Sequence, residues 1–257
     1  MILLGVVGAL EIGGLTSSSL LYFRDVWGMG VGGGVVLDLK RPLLGISALS
    51  YRSPYTPFRQ VDITISNRFG FKGGTVYSIG GHYILSDYPF SNRALILFGG
   101  FGSYSYSSSF EAGASYSMYG GDLSYGVLQV SADMGRLLHP RVWLDVFGIL
   151  SQVSDTSRFR LSRSTFPSLG AFLKFFLGRF TPYAGGWLGE QFLTVKWYGL
   201  VVYSYPFVYR GGAFLGVSFN TDRIRPGVHI TYDRLWDPVA GRFSPRLGVT
   251  FHIMYVP

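Results

Sequence analysis

The stretch Pro245-Arg246-Leu247-Gly248-Val249-Thr250-Phe251-His252-Ile253-Met254-Tyr255-Val256 has a period of two. Leu247, Val249, Phe251, Ile253 and Tyr255 alternate with Arg246, Gly248, Thr250, His252 and Met254. Successive side chains of a strand point to opposite faces, so this segment has one apolar face and one polar or small face. The same rhythm runs backward through the chain. Val228, Ile230 and Tyr232 alternate with His229, Thr231 and Asp233. Ala213, Leu215, Val217 and Phe219 do so with Gly212, Phe214, Gly216 and Ser218, as do Val61, Ile63 and Ile65 with Asp62, Thr64 and Ser66.

Turn-forming residues separate these segments, as in Lys40-Arg41-Pro42, Leu138-His139-Pro140, Leu177-Gly178-Arg179 and Asn220-Thr221-Asp222-Arg223. Longer connections are expected at 13–28, 53–59, 153–166, 192–208 and 235–244. Strands are expected at 3–12, 29–39, 44–52, 60–68, 75–86, 93–103, 110–119, 126–138, 142–152, 167–177, 181–191, 209–219, 224–234 and 245–256. That makes about fourteen, with twelve as the alternative count. Segment 1–28 is the least periodic and leaves open a start partly outside the sheet. Short and long connections alternate from position 138 onward, as in transmembrane barrels.

Composition agrees. Only 14% of the 257 residues are charged, 17% are aromatic and 36 are Gly, with a mean hydropathy of +0.28. No 18-residue run reads as a membrane-spanning helix. A hydrophobic chain without hydrophobic helices leaves the closed β-barrel as its membrane class. The expected apolar faces carry no charge: Tyr77, Ile79, Tyr83 and Leu85, for example, or Leu128, Val130, Ala132 and Met134. A soluble sandwich would instead line its polar face with Lys and Glu, whereas this chain has four Lys. The fold class is therefore all-β: an antiparallel up-and-down transmembrane barrel, one domain over 1–257. Aromatic clusters at Tyr22, Phe23 and Trp27, at Tyr51, Tyr55 and Phe58, and at Trp197, Tyr198, Tyr203, Tyr205, Phe207 and Tyr209 are expected at the lipid–water interface.

Arg246 to Tyr255 resembles the C-terminal signature of bacterial outer-membrane β-barrel proteins: a polar residue, Gly two positions on, then aromatic or aliphatic residues at alternate positions. The resemblance implies a bacterial outer-membrane location and recognition of this strand by the outer-membrane assembly machinery. With fourteen strands the chain looks most like small porins or fatty-acid channels, and no motif selects between them. Met1–Leu10 is apolar with no preceding Lys or Arg, a poor secretory signal, so the expectation is an export signal removed or truncated.

Function divides three ways: a pore or channel for passive passage of small solutes or ions, a closed structural or accessory barrel, and a lipid-processing enzyme. The candidate pore-lining residues are Asp38, Asp62, His82, Glu111, Asp133, Asp145, Lys174, Glu190, His229, Asp233, Arg246 and His252. Acids outnumber bases seven to two in that set, in a chain of net charge +8. Inward Phe172, Phe176 and Phe214 would narrow the lumen. Arg158, Arg160 and Arg163 in loop 153–166 are candidates for lipopolysaccharide phosphates, because the guanidinium fork matches phosphate. His229, Thr231 and Asp233 share a face but stand about 7 Å apart at successive i+2 positions, too far for a relay. No catalytic site, metal site or cofactor is expected; the absence of Cys removes thiolate chemistry. Outer-membrane lipids are the expected partners, and nucleic acid is not, because the Arg residues form no basic run. If the last hairpin centres near Val239–Ala240, Asp233 lies opposite Arg246 and His229 opposite Thr250.

Overall fold

The computed structural model describes residues 15–25, 29–38, 42–52, 57–70, 74–88, 92–122, 124–157, 161–196, 201–202, 207–221, 224–237 and 241–255. Among them are fourteen long strands. The first eleven are β1 (Leu15–Asp25), β2 (Met29–Asp38), β3 (Leu43–Arg52), β4 (Phe58–Gly70), β5 (Thr75–Ser86), β6 (Arg93–Tyr104), β7 (Ser108–Gly120), β8 (Tyr125–His139), β9 (Val142–Val153), β10 (Thr165–Phe175) and β11 (Phe180–Gly189). Three two-residue strands follow, β12 (Gln191–Phe192), β13 (Val195–Lys196) and β14 (Val201–Val202). The last three long strands are β15 (Val208–Phe219), β16 (Ile224–Asp237) and β17 (Arg242–Tyr255).

Each long strand pairs antiparallel with its neighbour, and two further pairings complete a ring. β11 pairs with β15, and β1 pairs with β17 from Thr16↔Tyr255 to Asp25↔Arg246. Every long strand thus has a partner on both sides, which removes the unpaired edges that invite aggregation. The connections at one end, 39–42, 71–74, 105–107, 140–141, 176–179 and 220–223, have two to four residues. The other end carries the long connections 154–164 and 190–207.

The register follows the alternation read from the sequence. On β4, Ile63 and Ile65 are 49% and 54% exposed, while the alternating Thr64 and Ser66 are each 5% exposed. Tyr77, Ile79, Leu97, Tyr116, Leu128, Val130, Leu169, Leu215, Leu247 and Phe251 are likewise outward and exposed. Asp233 pairs with Arg246 and His229 with Thr250, as the hairpin reading requires.

Three expectations need correction. The strand expected at 3–12 lies outside the described residues, and the first strand is Leu15–Asp25, inside the segment read as a connection. Its sequence gathers Ser17–Ser19 and Leu20–Phe23 into blocks, so no period of two is visible, yet both its backbone edges are paired. The expected long loop 235–244 is mostly strand: Arg234–Asp237 pairs with Pro245–Arg242. Tyr51, Phe58, Phe207 and Tyr209 are buried instead of sitting at the lipid interface. Tyr51 and Phe58 pack with Tyr88, and Phe207 and Tyr209 with Trp187 and Leu235. The side chains of Tyr22, Phe23, Tyr55, Trp197, Tyr198, Tyr203 and Tyr205, and Trp27 with them, lie outside the described residues.

Candidate functional site

The inner wall has two layers. Towards the middle and the short-turn end it is polar. On β4 the Asp62 carboxylate accepts from Ser47 Oγ at 3.0 Å and Gln60 Nε2 at 2.7 Å. His82 Nε2 lies 3.7 Å from Asp62, and His82 Nδ1 shares a 2.9 Å hydrogen bond with Thr64 Oγ1. Tyr104 OH donates to Glu111 Oε1 at 2.5 Å. Glu111 is paired directly with Asp133 across β7 and β8. Lys174 Nζ sits 2.8 Å from Asp145 and 4.9 Å from the centre of the Phe172 ring. Tyr183 OH shares a 3.0 Å hydrogen bond with His229 Nδ1, and the two rings stack. Phe214 stands between His229 and Phe172, 5.5 and 5.6 Å from each.

Arg246 joins the polar layer to the apolar one. Its Nη2 is 2.9 Å from Asp233, its Nη1 donates to Tyr209 OH at 2.8 Å, and its guanidinium lies over the Tyr209 ring. Nine of the twelve pore-lining candidates are therefore placed by side chain on the inner face. Those nine are Asp62, His82, Glu111, Asp133, Asp145, Lys174, His229, Asp233 and Arg246, each in register with inward neighbours. The side chains of Asp38 and His252 lie outside the described residues.

Glu190 is different. It follows β11, beyond Gly189 with its φ of 99°, and takes Arg163 and Arg210 as ion-pair partners, with Arg210 Nε at 2.9 Å. It belongs to the long-loop end. Arg163, read as a lipopolysaccharide contact, donates through Nε to Glu190 at 3.0 Å. Arg158 and Arg160 lie outside the described residues. Phe176 is in a turn and 39% exposed, whereas Phe172 is buried in the wall.

Glycine gives these aromatic rings room. A Cβ on Gly170 would stand 2.3 Å from the Phe147 ring, and one on Gly216 would stand 2.4 Å from the Tyr183 ring. Each ring belongs to the residue directly opposite that glycine on the next strand. Each ring reaches over the facing position, where a side chain would collide with it.

At the long-loop end the interior is apolar and filled. Phe192 and Leu193 are 0% exposed and join Ile84, Ile96, Tyr125, Val127, Val153 and Phe166 in one cluster. Phe192 stacks on Phe166 at 5.5 Å. Gln129 on the inner face of β8 grips the same segment at two points. Val195 N–H donates to Gln129 Oε1 at 2.9 Å, and Gln129 Nε2 donates to the Val195 carbonyl at 2.5 Å. Gln191 Nε2 donates to Ser168 Oγ at 2.9 Å. Connection 190–207, read from sequence as an outer loop, thus begins by folding into the barrel. Sequence reasoning missed Gln129 and the run Gln191-Phe192-Leu193-Thr194-Val195. The available signal was an apolar run inside a connection, where a solvent-facing loop would be polar.

No protein-family model matches the chain, and no curated protein matches it in sequence. Solved structures share its fold. The toluene transporter TodX of Pseudomonas putida superposes with a TM-score of 0.58 at 7% identity, over 98% of this chain and 91% of that one. The monoaromatic hydrocarbon channel CymD gives 0.57 at 6%, over 98% and 90%. The NanC porin gives 0.55 at 6%, over 93% and 98%.

Proposed function

We propose that this chain is a single-domain outer-membrane channel for the passive passage of small solutes or ions, and not an enzyme. One observation carries the reading: the strands form a closed ring whose outward face is apolar across mid-strand, with exposed arginines such as Arg59, Arg93, Arg136 and Arg234 towards the strand ends, and with ionised side chains inside. Lipid tails solvate such an exterior, and an interior of this kind suits water and polar solutes. The fold likeness to a porin and two hydrocarbon channels supports the same reading. The outer-membrane lipids are the proposed surroundings. The assembly machinery is the proposed reader of β17, and lipopolysaccharide remains a proposed contact of loop 154–164.

The pore-lining set is the inner-wall group from Asp62 to Arg246. Asp145 and Asp233 are offset by Lys174 and Arg246, which leaves Asp62, Glu111 and Asp133 as the acids of the middle layer. Arg68, Arg225 and Arg242 stand on the inward register nearer the strand ends, with guanidinium nitrogens buried. Acidic groups at a narrow point favour cations, and salt screens the more distant arginines beyond about 8 Å. The proposed preference is therefore for cations, against the net charge of the whole chain.

The filled long-loop end favours a second reading, the closed accessory barrel. The lipid-processing reading has less support: His82 is 3% exposed and sealed between Thr64 and Asp62, and His229 is occupied by Tyr183. Solute efflux from proteoliposomes separates the first two. A channel empties vesicles of small solutes in proportion to protein, and a closed barrel retains them.

A further inference from the structure

We infer that the seat of Phe192 and Leu193 is a binding site for a small apolar, ring-bearing solute, which the chain itself occupies when no solute is present. The inference rests on the channel reading and names a ligand class for it. Three observations carry it. First, the seat is enclosed: buried side chains of β5, β6, β7, β8, β9, β10 and β15 wall it, and a phenyl ring is already stacked in it on Phe166. Second, what fills it belongs to connection 190–207, which two residues hold to the rim of the sheet. Only Gln191 and Phe192 of this segment pair with the barrel sheet, to Tyr209 and Val208, and the next anchor is the side chain of Gln129.

Third, the seated segment carries costs that leaving would relieve. Leu193 has a φ of 48°, in the left-handed region that a branched side chain disfavours. Thr194 is 0% exposed, and its hydroxyl has no hydrogen-bond partner among the described residues. A buried hydroxyl without a partner forfeits its hydration. A segment kept only as structure would be better served by Gly at 193 and Val at 194. A solute with the shape of the Phe192 side chain would take over the ring's contacts, and the displaced segment would regain water. The seat is at the long-loop end, so displacement also uncovers the polar layer beneath it.

The chain has no cysteine, so a single introduced thiol reports the segment. Toluene, the phenylalanine side chain as a free molecule, is the probe, and glucose is the polar control. Full-length Thr194→Cys in proteoliposomes is expected to react with a maleimide at least tenfold more slowly than Ser162→Cys, whose position is exposed in the long connection 154–164 at the same end of the barrel. Toluene is expected to speed Thr194→Cys at least fivefold, with saturation, and to leave Ser162→Cys unchanged. Glucose should change neither. Gln129→Leu in the Thr194→Cys background is expected to raise the rate without solute. Val195→Cys serves in the same way should Thr194→Cys not fold.

Labelling of Thr194→Cys as fast as Ser162→Cys without solute would overturn the inference. So would slow labelling that toluene leaves unmoved. Efflux with toluene-insensitive labelling keeps the channel and removes this site. Toluene-dependent labelling without efflux in any variant keeps the site and removes the channel.

Discussion

Separating Asp233 from Arg246 tests whether the inner wall is as described. The two residues face each other across β16 and β17, with side chains 9% and 16% exposed and 2.9 Å between charged atoms. Arg246→Met keeps the aliphatic stem and strands the Asp233 carboxylate. Asp233→Ala strands the guanidinium, which retains the Tyr209 hydroxyl. Removing one partner of a buried pair costs about 3–5 kcal/mol, because the other charge is left uncompensated. The Tyr209 bond and the residual exposure of Arg246 place Asp233→Ala at the lower end, about 3 kcal/mol, and Arg246→Met near 4 kcal/mol on that scale. The double variant has no stranded charge, so its cost should fall about 2–3 kcal/mol short of the sum. That coupling is roughly a 30- to 150-fold difference in the unfolding constant. Urea unfolding of the refolded protein in lipid vesicles measures all four corners of the cycle. An exposed pair couples by about 0–1 kcal/mol. A coupling under 1 kcal/mol would refute the buried inward register of this hairpin.

Leu97 is outward and 51% exposed near the middle of β6, so Leu97→Arg should cost about 2–4 kcal/mol in a bilayer, again by urea unfolding. A cost under 1 kcal/mol would show that Leu97 does not face lipid. Gly170→Val should cost about 1–3 kcal/mol by pushing the Phe147 ring off the wall. Phe147→Ala in that background should recover part of the loss. Combining Glu111→Gln with Asp133→Asn should move the reversal potential in a salt gradient towards the anion side, with no movement if these acids do not line the conducting path. The unheated protein should migrate differently from the boiled one on a gel and give a β-type circular dichroism spectrum; a helical spectrum would contradict the fold.

Alternation made most of this barrel legible. Where one face meets lipid, its mid-strand residues are uncharged, so the facing of β4, β8, β16 and β17 could be read residue by residue and the partners across β16 and β17 deduced, although the loop-side ends of those two strands were read as connection. That is why Asp233 and Arg246 could be paired before any coordinates. β1 was not legible, because its blocks of Ser and of apolar residues satisfy no period, and its place follows from closing the ring with β2 and β17. Nor were the inward aromatics. Tyr51, Phe58 and Tyr209 have the composition of an interfacial girdle; the parity of their neighbours turns Tyr51 and Phe58 inward, and a bulge between Tyr209 and Gly212 turns Tyr209 inward against the parity of Ala213 and Leu215. The descent of Phe192 and Leu193 into the barrel depends on a contact between residues 66 positions apart, Gln129 and Val195, which no local pattern records. Glu190 was misread because the parity of β11 was: its buried side chains are Thr181, Tyr183 and Trp187, at odd positions, and the strand ends at Gly189 before Glu190.

Single-channel recording of the refolded protein in a planar bilayer tests the central claim most directly. Discrete, brief unitary steps that favour cations in a salt gradient are expected, with longer openings in Gln129→Leu, where the grip on Val195 is lost. A silent membrane with both the native chain and Gln129→Leu would contradict the claim and leave a closed barrel.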